Sequence, residues 1–140
     1  MPRIVIAGCG FVGLAAARVF HAAGWDVLGL THSHESAETL KGEPFPIAAC
    51  DISDAGAVRD IKAWHGVTPD VAIHCASSGR GGEEAYRRVY LGGVRNLLES
   101  LAPQHLIFTS STSVYAQTDG GAVTEESAAA PPREIGRAHV

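Results

Sequence analysis

The chain alternates short apolar runs with longer stretches in which apolar residues recur at helical spacing. The apolar runs are rich in β-branched residues and are bounded by glycine, proline or charged residues, a pattern typical of buried strands. We predict five strands, at residues 3–7, 26–30, 46–50, 71–75 and 105–109. Strands that alternate with helices in this way form a parallel sheet with helices on its faces.

Helices are predicted between these strands. Residues 11–23 are rich in alanine, with apolar residues at helical spacing, and Gly24 ends this helix. Further helices are predicted at residues 36–41, at 54–65 with Ser53 as N-cap, and at 83–101. Right-handed crossovers then give an α/β fold, a Rossmann-type doubly wound parallel sheet of strand order 3-2-1-4-5.

Length, composition and charge limit the classes of protein that fit. The chain has 140 residues, of which 46% are hydrophobic, enough for one domain with one core. Its formal net charge of −4 disfavours a nucleic-acid binder, which carries a basic face. No apolar run approaches the roughly 20 residues of a membrane-spanning helix, and the N-terminus lacks a secretory pattern. We therefore expect a cytoplasmic protein with neither nucleic acid nor membrane as partner.

The cysteines and histidines do not predict a metal site. Cys9, Cys50 and Cys75 are odd in number, lack metal-type spacing and lie at or near predicted strand ends. A small thiol packs well there, so we expect no disulfide framework. His32 and His34 are interpreted as residues of an exposed loop.

A glycine-rich turn joins the first strand to the first helix. The segment from Gly8 to Gly13 has the pattern G-x-G-x-x-G, which binds dinucleotides when it lies between a strand and a helix. Gly8 permits the tight turn, Gly10 lets the backbone approach a pyrophosphate, and Gly13 lets the helix pack closely on the strand. Amide hydrogens at the helix start then face the phosphates. The alternative is a glycine turn with a structural role alone.

The end of the second strand bears on which dinucleotide is bound. Sites that prefer NAD place an acidic residue there to bind the ribose hydroxyls, and this chain has none. Thr31, His32 and Ser33 could instead donate hydrogen bonds to a 2′-phosphate, which favours NADP over NAD. Asp51, after the third strand, could accept a hydrogen bond from an adenine amino group, or be an ordinary capping aspartate.

Several segments, taken together, resemble the extended short-chain dehydrogenase/reductase superfamily, in particular its NAD-dependent epimerase/dehydratase family. They occur in family order and spacing from the start of the chain to about Tyr115. The segments are the glycine turn, Cys50-Asp51-Ile52, Val71-Ala72-Ile73-His74-Cys75-Ala76, Val89-Tyr90-Leu91-Gly92-Gly93-Val94-Arg95-Asn96-Leu97-Leu98 and Phe108-Thr109-Ser110-Ser111-Thr112-Ser113-Val114-Tyr115.

The resemblance implies roles for individual residues. Its cofactor contacts are Phe11 and Val12 over the pyrophosphate, Asp51 and Ile52 beside the adenine, Cys75, Ala76 and Ser77 along the cofactor, and Thr109 near the nicotinamide. Ser111 matches the catalytic serine or threonine, which hydrogen-bonds the reacting hydroxyl or carbonyl of the substrate. The alternative for Ser111 is a hydrogen bond within its own loop.

The chain also departs from the family pattern. Tyr90, in the helix predicted at residues 83–101, stands where the family usually has asparagine. The Tyr-x-x-x-Lys pair, in which tyrosine transfers a proton and lysine lowers its pKa, is absent; Ile135 and His139 stand near its expected positions. Residues 135–140 are also what the DNA string ATC GGA AGA GCA CAC GTC encodes, which resembles a sequencing-library adapter. We therefore expect an incomplete NAD(P)-binding domain at residues 1–134 and a non-native tail at 135–140.

These observations predict an NAD(P)-dependent oxidoreductase or epimerase/dehydratase, represented by its cofactor-binding half. Its substrate would be a small molecule with a hydroxyl or carbonyl carbon, and the full-length protein would be a homodimer. A non-catalytic NADP-binding sensor or scaffold is the alternative. The charged residues Glu83, Glu84, Arg87 and Arg88 are interpreted as a solvated helix face, with each glutamate able to pair with the arginine four residues later.

Overall fold

The computed structural model describes residues 1–66 and 68–139. Its centre is a sheet of five strands in the order β3-β2-β1-β4-β5, with all neighbouring pairs parallel. The strands are β1 (Arg3–Ala7), β2 (Asp26–Thr31), β3 (Ile47–Ala49), β4 (Val71–His74) and β5 (His105–Phe108). The predicted Rossmann-type α/β fold and its strand order are confirmed.

Helices connect the strands as the sequence predicts. They are α1 (Phe11–Ala22), α2 (His34–Thr39) and α3 (Ala55–His65). A continuous helical segment, here called the long helix, then joins α4 (Gly82–Tyr86), a π-helix (Arg87–Gly92), α5 (Gly93–Asn96) and a second π-helix (Leu97–Leu101). A 3₁₀-helix (Thr112–Val114) and α6 (Glu134–Arg137) follow β5.

Two predicted helix starts are wrong by one or two residues. The carboxylate of Asp54, not Ser53, caps α3, because it accepts hydrogen bonds from the amides of Gly56 at 2.7 Å and Ala57 at 3.3 Å. Helix α2 begins at residue 34 rather than 36, because the hydroxyl of Ser33 accepts a hydrogen bond from the amide of Ser36 at 3.2 Å.

Helix α6 lies beyond the fifth strand, where we predicted no helix. It spans residues 134–137 and so overlaps the tail. The non-native origin of residues 135–140 stays a prediction, and Val140 lies outside the described residues.

Side chains that alternate along the strands form two hydrophobic clusters, one on each face of the sheet. Val5 and Leu28 face one cluster, which α3 and the long helix cover. Ile4 and Val27 face the other, which α1 covers. On β5 the side chain of Ile107 is 50% exposed. None of the described helices is both long and apolar enough to cross a membrane.

Candidate functional site

The carboxyl ends of the parallel strands meet at one edge of the sheet and surround a cavity of about 120 Å³. It brings together seven residues predicted to contact a cofactor, from the ends of four strands. The lining residues are Gly8, Thr31, His32, Cys50, Asp51, Ile52, Ala76, Ser77 and Val89. Cys50 and Val89 were not predicted, and Val89 comes from the long helix. Such a crevice beyond the strand ends is where open α/β sheets bind ligands.

Two glycines of the turn are required by the fold itself. Gly8 has a φ of 97°, and a Cβ atom built there would lie 2.4 Å from the backbone nitrogen of Ala76. A Cβ at Gly13 would lie 2.0 Å from the carbonyl oxygen of Gly8. Both positions therefore exclude any side chain, as the tight turn and the close helix–strand packing require.

Gly10 differs, because a Cβ built there would meet no protein atom within 4 Å. Gly10 is the N-cap of α1 and makes no side-chain cap, and the amide of Leu14 donates to its carbonyl at 3.0 Å. The preceding amides, from Phe11 to Gly13, have no acceptor within the helix. Open space beside amides at the positive end of a helix suits a pyrophosphate, so the turn fits this group.

At the end of β2, local hydrogen bonds occupy two of the three predicted donors. The hydroxyl of Thr31 donates to the carbonyl of Ser33 at 3.1 Å, and the hydroxyl of Ser33 donates to that of Ser36 at 3.1 Å. The side chain of His32 is 80% exposed, and its Nδ1 lies 3.9 Å from Oδ1 of Asp51. His32 therefore remains the donor best placed to reach a ligand.

Asp51 is a negative charge at the mouth of the cavity. Its Oδ1 accepts hydrogen bonds from the amide of Ser53 at 2.9 Å and from its hydroxyl at 2.7 Å. Partial burial raises the pKa of Asp51, but the hydrogen bonds from Ser53 and the charges of His32 and Arg88 outweigh burial and hold this pKa below its usual value.

Arg88 lies close enough to this site for its charge to lower the pKa of Asp51, which the sequence did not predict. From the sequence, Arg88 was interpreted as part of a solvated helix face, able to pair with Glu84. In the structure Arg87 pairs with Glu83 at 3.0 Å, whereas the charge of Arg88 acts on Asp51. Among the residues described, Arg88 forms no ion pair.

Hydrogen bonds join the ends of β4 and β5. The hydroxyl of Thr109 donates to the carbonyl of His74 at 2.8 Å, and its amide donates to the same carbonyl at 3.1 Å. Cys75 is half-buried beside Thr109; burial raises the pKa of its thiol, and a hydrogen bond with Thr109 opposes that shift. Thr109 and Cys75, both predicted cofactor contacts, thus lie next to each other.

Ser111 lies beyond β5 and outside the cavity that contains Gly8. It is the N-cap of the 3₁₀-helix, and its oxygen accepts a hydrogen bond from the amide of Ser113 at 3.1 Å. Its hydroxyl proton therefore stays available to a substrate oxygen. A polar cavity of about 260 Å³ begins in the same loop and is lined by Thr112, Ser113, Tyr115, Gln117, Thr118, Pro132 and Arg133.

A buried amide holds the end of β3 in place. Asn96 of the long helix is 9% exposed, and its Nδ2 donates to the carbonyl of Ile52 at 2.8 Å.

Among residues 1–66 and 68–139, no group of three side chains is arranged to hold a metal ion.

Comparison with known proteins identifies relatives over nearly the whole chain. The model of the NAD dependent epimerase/dehydratase family matches residues 4–136. Protein YeeZ of Escherichia coli (strain K12) is 29% identical over 131 residues, which cover 86% of this chain and 44% of YeeZ. The chain thus spans less than half the length of this curated relative.

Solved structures share the fold. A protein assigned as an epimerase from Burkholderia cenocepacia J2315 is 27% identical, with a TM-score of 0.81 over 99% of this chain and 46% of that one. A protein assigned as an NAD-dependent epimerase/dehydratase from Methylobacillus flagellatus is also 27% identical, with a TM-score of 0.77 over 99% of this chain and 47% of that one. UDP-glucose 4-epimerase from Brucella ovis, solved with NAD, is 24% identical, with a TM-score of 0.80 over 99% of this chain and 45% of that one.

Proposed function

Because the chain belongs to the NAD dependent epimerase/dehydratase family, we propose that it is the nicotinamide-dinucleotide-binding part of an oxidoreductase, epimerase or dehydratase. One observation carries this proposal. Gly8 and Gly13 leave no room for a side chain, whereas Gly10 faces open space at an uncapped helix start. A turn needed for packing alone would not require glycine at the position that packs against nothing.

The dinucleotide would lie along the carboxyl edge of the sheet. Its pyrophosphate would accept hydrogen bonds from the first amides of α1, with Phe11 and Val12 beside it. Asp51 and Ile52 would contact the adenine, with His32 near the adenosine ribose. The other half would pass Cys75, Ala76 and Ser77 towards Thr109.

We propose NADP as the preferred cofactor. The end of β2 has no acidic side chain to accept hydrogen bonds from the ribose hydroxyls or to repel a 2′-phosphate. His32 can donate a hydrogen bond there, and Arg88 adds a positive charge on the side of Asp51. Arg88 would supply the cation that the sequence around β2 lacks.

The bound nicotinamide supplies a hydride acceptor or donor, and the chain supplies groups that orient and polarise the substrate. Ser111 would donate its hydroxyl proton to the reacting oxygen of a hydroxyl or carbonyl substrate. Such a fixed donor stabilises negative charge that develops on that oxygen. Because the family's proton-transfer tyrosine is absent from this chain, we expect the chain to bind the cofactor but to turn over little substrate by itself.

Titration with NADPH and NADH tests the proposal, with Gly10→Ala as the decisive variant. A methyl group at Gly10 meets no protein atom, so the fold should tolerate it with a loss of at most about 1 kcal/mol at the helix N-cap, while dinucleotide binding weakens at least about tenfold. Gly42→Ala is the matched control, because a Cβ there also meets no protein atom. A folded chain that binds neither dinucleotide, or a Gly10→Ala variant that binds like the parent, would refute the proposal.

A further inference from the structure

Tyr90 carries a buried phenol that contacts the loop after β4. The residue is 8% exposed, and its hydroxyl lies 3.4 Å from Oγ of Ser78 and 3.5 Å from the amide nitrogen of Ser78. A buried tyrosine hydroxyl normally has a hydrogen-bond partner. Ser78 provides that partner from the loop, and the contact joins the long helix to the end of β4.

The segment at residues 77–82 has little intrinsic preference for a single conformation. Gly79 and Gly82 adopt φ values of 65° and 70°, a region that glycine reaches freely. Arg80 between them is exposed. Ordering such a segment costs conformational entropy, which contacts with the rest of the chain must offset. Because Ser77 lines the cavity, contacts that hold this segment also determine the shape of the cavity.

The ring of Tyr90 is itself fixed by its neighbours. It stacks on Tyr86 with ring centroids 6.2 Å apart, and it lies 6.3 Å from the ring of His74 and 6.4 Å from that of Phe108. The nearest ring is that of His139, whose centroid lies 4.1 Å from that of Tyr90, so the hydroxyl projects from a cluster of aromatic rings. The asparagine that the family resemblance leads us to expect here has a shorter side chain and would not extend as far towards Ser78.

We propose that Tyr90 is a positioning residue that holds the loop at residues 77–82 in the conformation that places Ser77 against the bound dinucleotide. The part that concerns the dinucleotide rests on the function proposed above. The part that concerns the loop does not, because the contact between Tyr90 and Ser78 exists in the chain without ligand.

Limited proteolysis of the whole chain tests the loop directly. Trypsin cleaves after Arg80, and mass spectrometry measures the rate at which the fragment ending at Arg80 appears. Tyr90→Phe removes the hydroxyl and with it both long hydrogen bonds from Ser78, so it should raise this rate about three- to tenfold. Tyr86→Phe is the matched control, since the hydrogen bonds of Ser78 to a tyrosine hydroxyl in the described part of the chain go to Tyr90, and its cleavage rate should equal that of the parent.

Two further measurements make the result decisive. Affinity for NADPH should fall severalfold in Tyr90→Phe and stay unchanged in Tyr86→Phe. Ser78→Ala removes one of the two contacts without touching the aromatic cluster, so it should accelerate cleavage even if Tyr90→Phe does not fold. Parental cleavage rates in a folded Tyr90→Phe, or in Ser78→Ala if Tyr90→Phe is unfolded, would overturn the proposal. Faster cleavage in a chain that binds no dinucleotide would instead refute the proposed function and keep the loop-holding role of Tyr90.

Discussion

Nε2 of His74 donates a hydrogen bond to the carbonyl oxygen of Val89, with 2.8 Å between the two atoms. A carbonyl only accepts hydrogen bonds, so Nε2 carries the proton. The bond joins β4 to the first π-helix of the long helix, and π-helical turns are frequent near functional sites. Val89 lines the cavity at the strand ends. His74 thus fixes the distance between the sheet and one wall of the proposed cofactor site.

Burial makes this imidazole sensitive to acid. It lowers the pKa of His74 from the ordinary value of 6.5, and the hydrogen bond to Val89 opposes the shift only in part. The unfolded chain therefore binds a proton at a higher pH than the folded chain does. We predict that the free energy of unfolding declines as the pH falls below 6.5 and that this contribution levels off below the folded-state pKa.

Urea unfolding between about pH 8 and pH 5 measures this decline. His74→Gln keeps an amide donor but loses the titrating group, so its decline should be shallower than that of the parent. His105→Gln, which removes an exposed histidine on β5, is the control for removing a histidine from the sheet. Parallel curves for the parent and His74→Gln would show that another group causes the acid sensitivity.

Gly13→Ala should destabilise the fold strongly. Its new methyl group would lie 2.0 Å from the carbonyl oxygen of Gly8, and 3.3 Å from Cβ of Cys75. The oxygen belongs to the backbone of the turn and cannot move aside without shifting α1 against β1. We expect a loss of about 1–3 kcal/mol in the free energy of unfolding, measured by urea titration. An unchanged midpoint would mean that α1 packs less closely on β1 than described.

Arg88→Ala should affect the binding of NADPH more than the binding of NADH. If Arg88 neutralises Asp51 and attracts a 2′-phosphate, its loss weakens NADPH binding about tenfold and leaves NADH binding nearly unchanged. Isothermal titration of both dinucleotides measures the difference. Arg87→Ala is the control, because this arginine is adjacent in sequence but paired with Glu83. If Arg88→Ala weakens the binding of NADPH and NADH equally, or weakens neither, Arg88 does not determine the preference for NADP.

The three thiols should react at different rates. Burial raises the pKa of Cys9 and of Cys50 to about 11, so at about pH 8 only about a thousandth of each is thiolate. Cys75 is half-buried and should react first with a disulfide reagent, as mapped by mass spectrometry. NADPH should slow that reaction, because Cys75 is a proposed cofactor contact. Cys75→Ser should remove the fast phase, and a fast phase that survives would place the reactive thiol elsewhere.

The sheet could be predicted from sequence because its central strands are buried on both faces. The runs that became β1 and β4 are nearly continuous in apolar residues, and this pattern leaves few alternatives. The start of α3 was harder, because Ser53 and Asp54 are both good N-caps. The choice depends on Asp51, whose carboxylate accepts both hydrogen bonds from Ser53 and leaves Asp54 to cap the helix.

The site was predictable where its residues follow strands, and not where they come from the long helix. Asp51 and His32 each follow a strand end, so sheet topology brings them together. Val89 reaches the same place from the long helix, which packs so closely on β4 that a Cβ atom at Gly93 would lie 2.9 Å from Nε2 of His74. Spacing within one helix does not show which neighbour each side will meet.

The three glycines of the turn are subject to different evolutionary constraints. Gly8 and Gly13 are demanded by the chain, so a descendant that keeps this fold keeps both, whatever it binds. At Gly10 the fold leaves space for a side chain, so only the proposed dinucleotide would require glycine there. A relative that no longer bound a dinucleotide could accept other residues at position 10 without losing the fold. The residue found at this position would therefore indicate whether a relative still binds the cofactor.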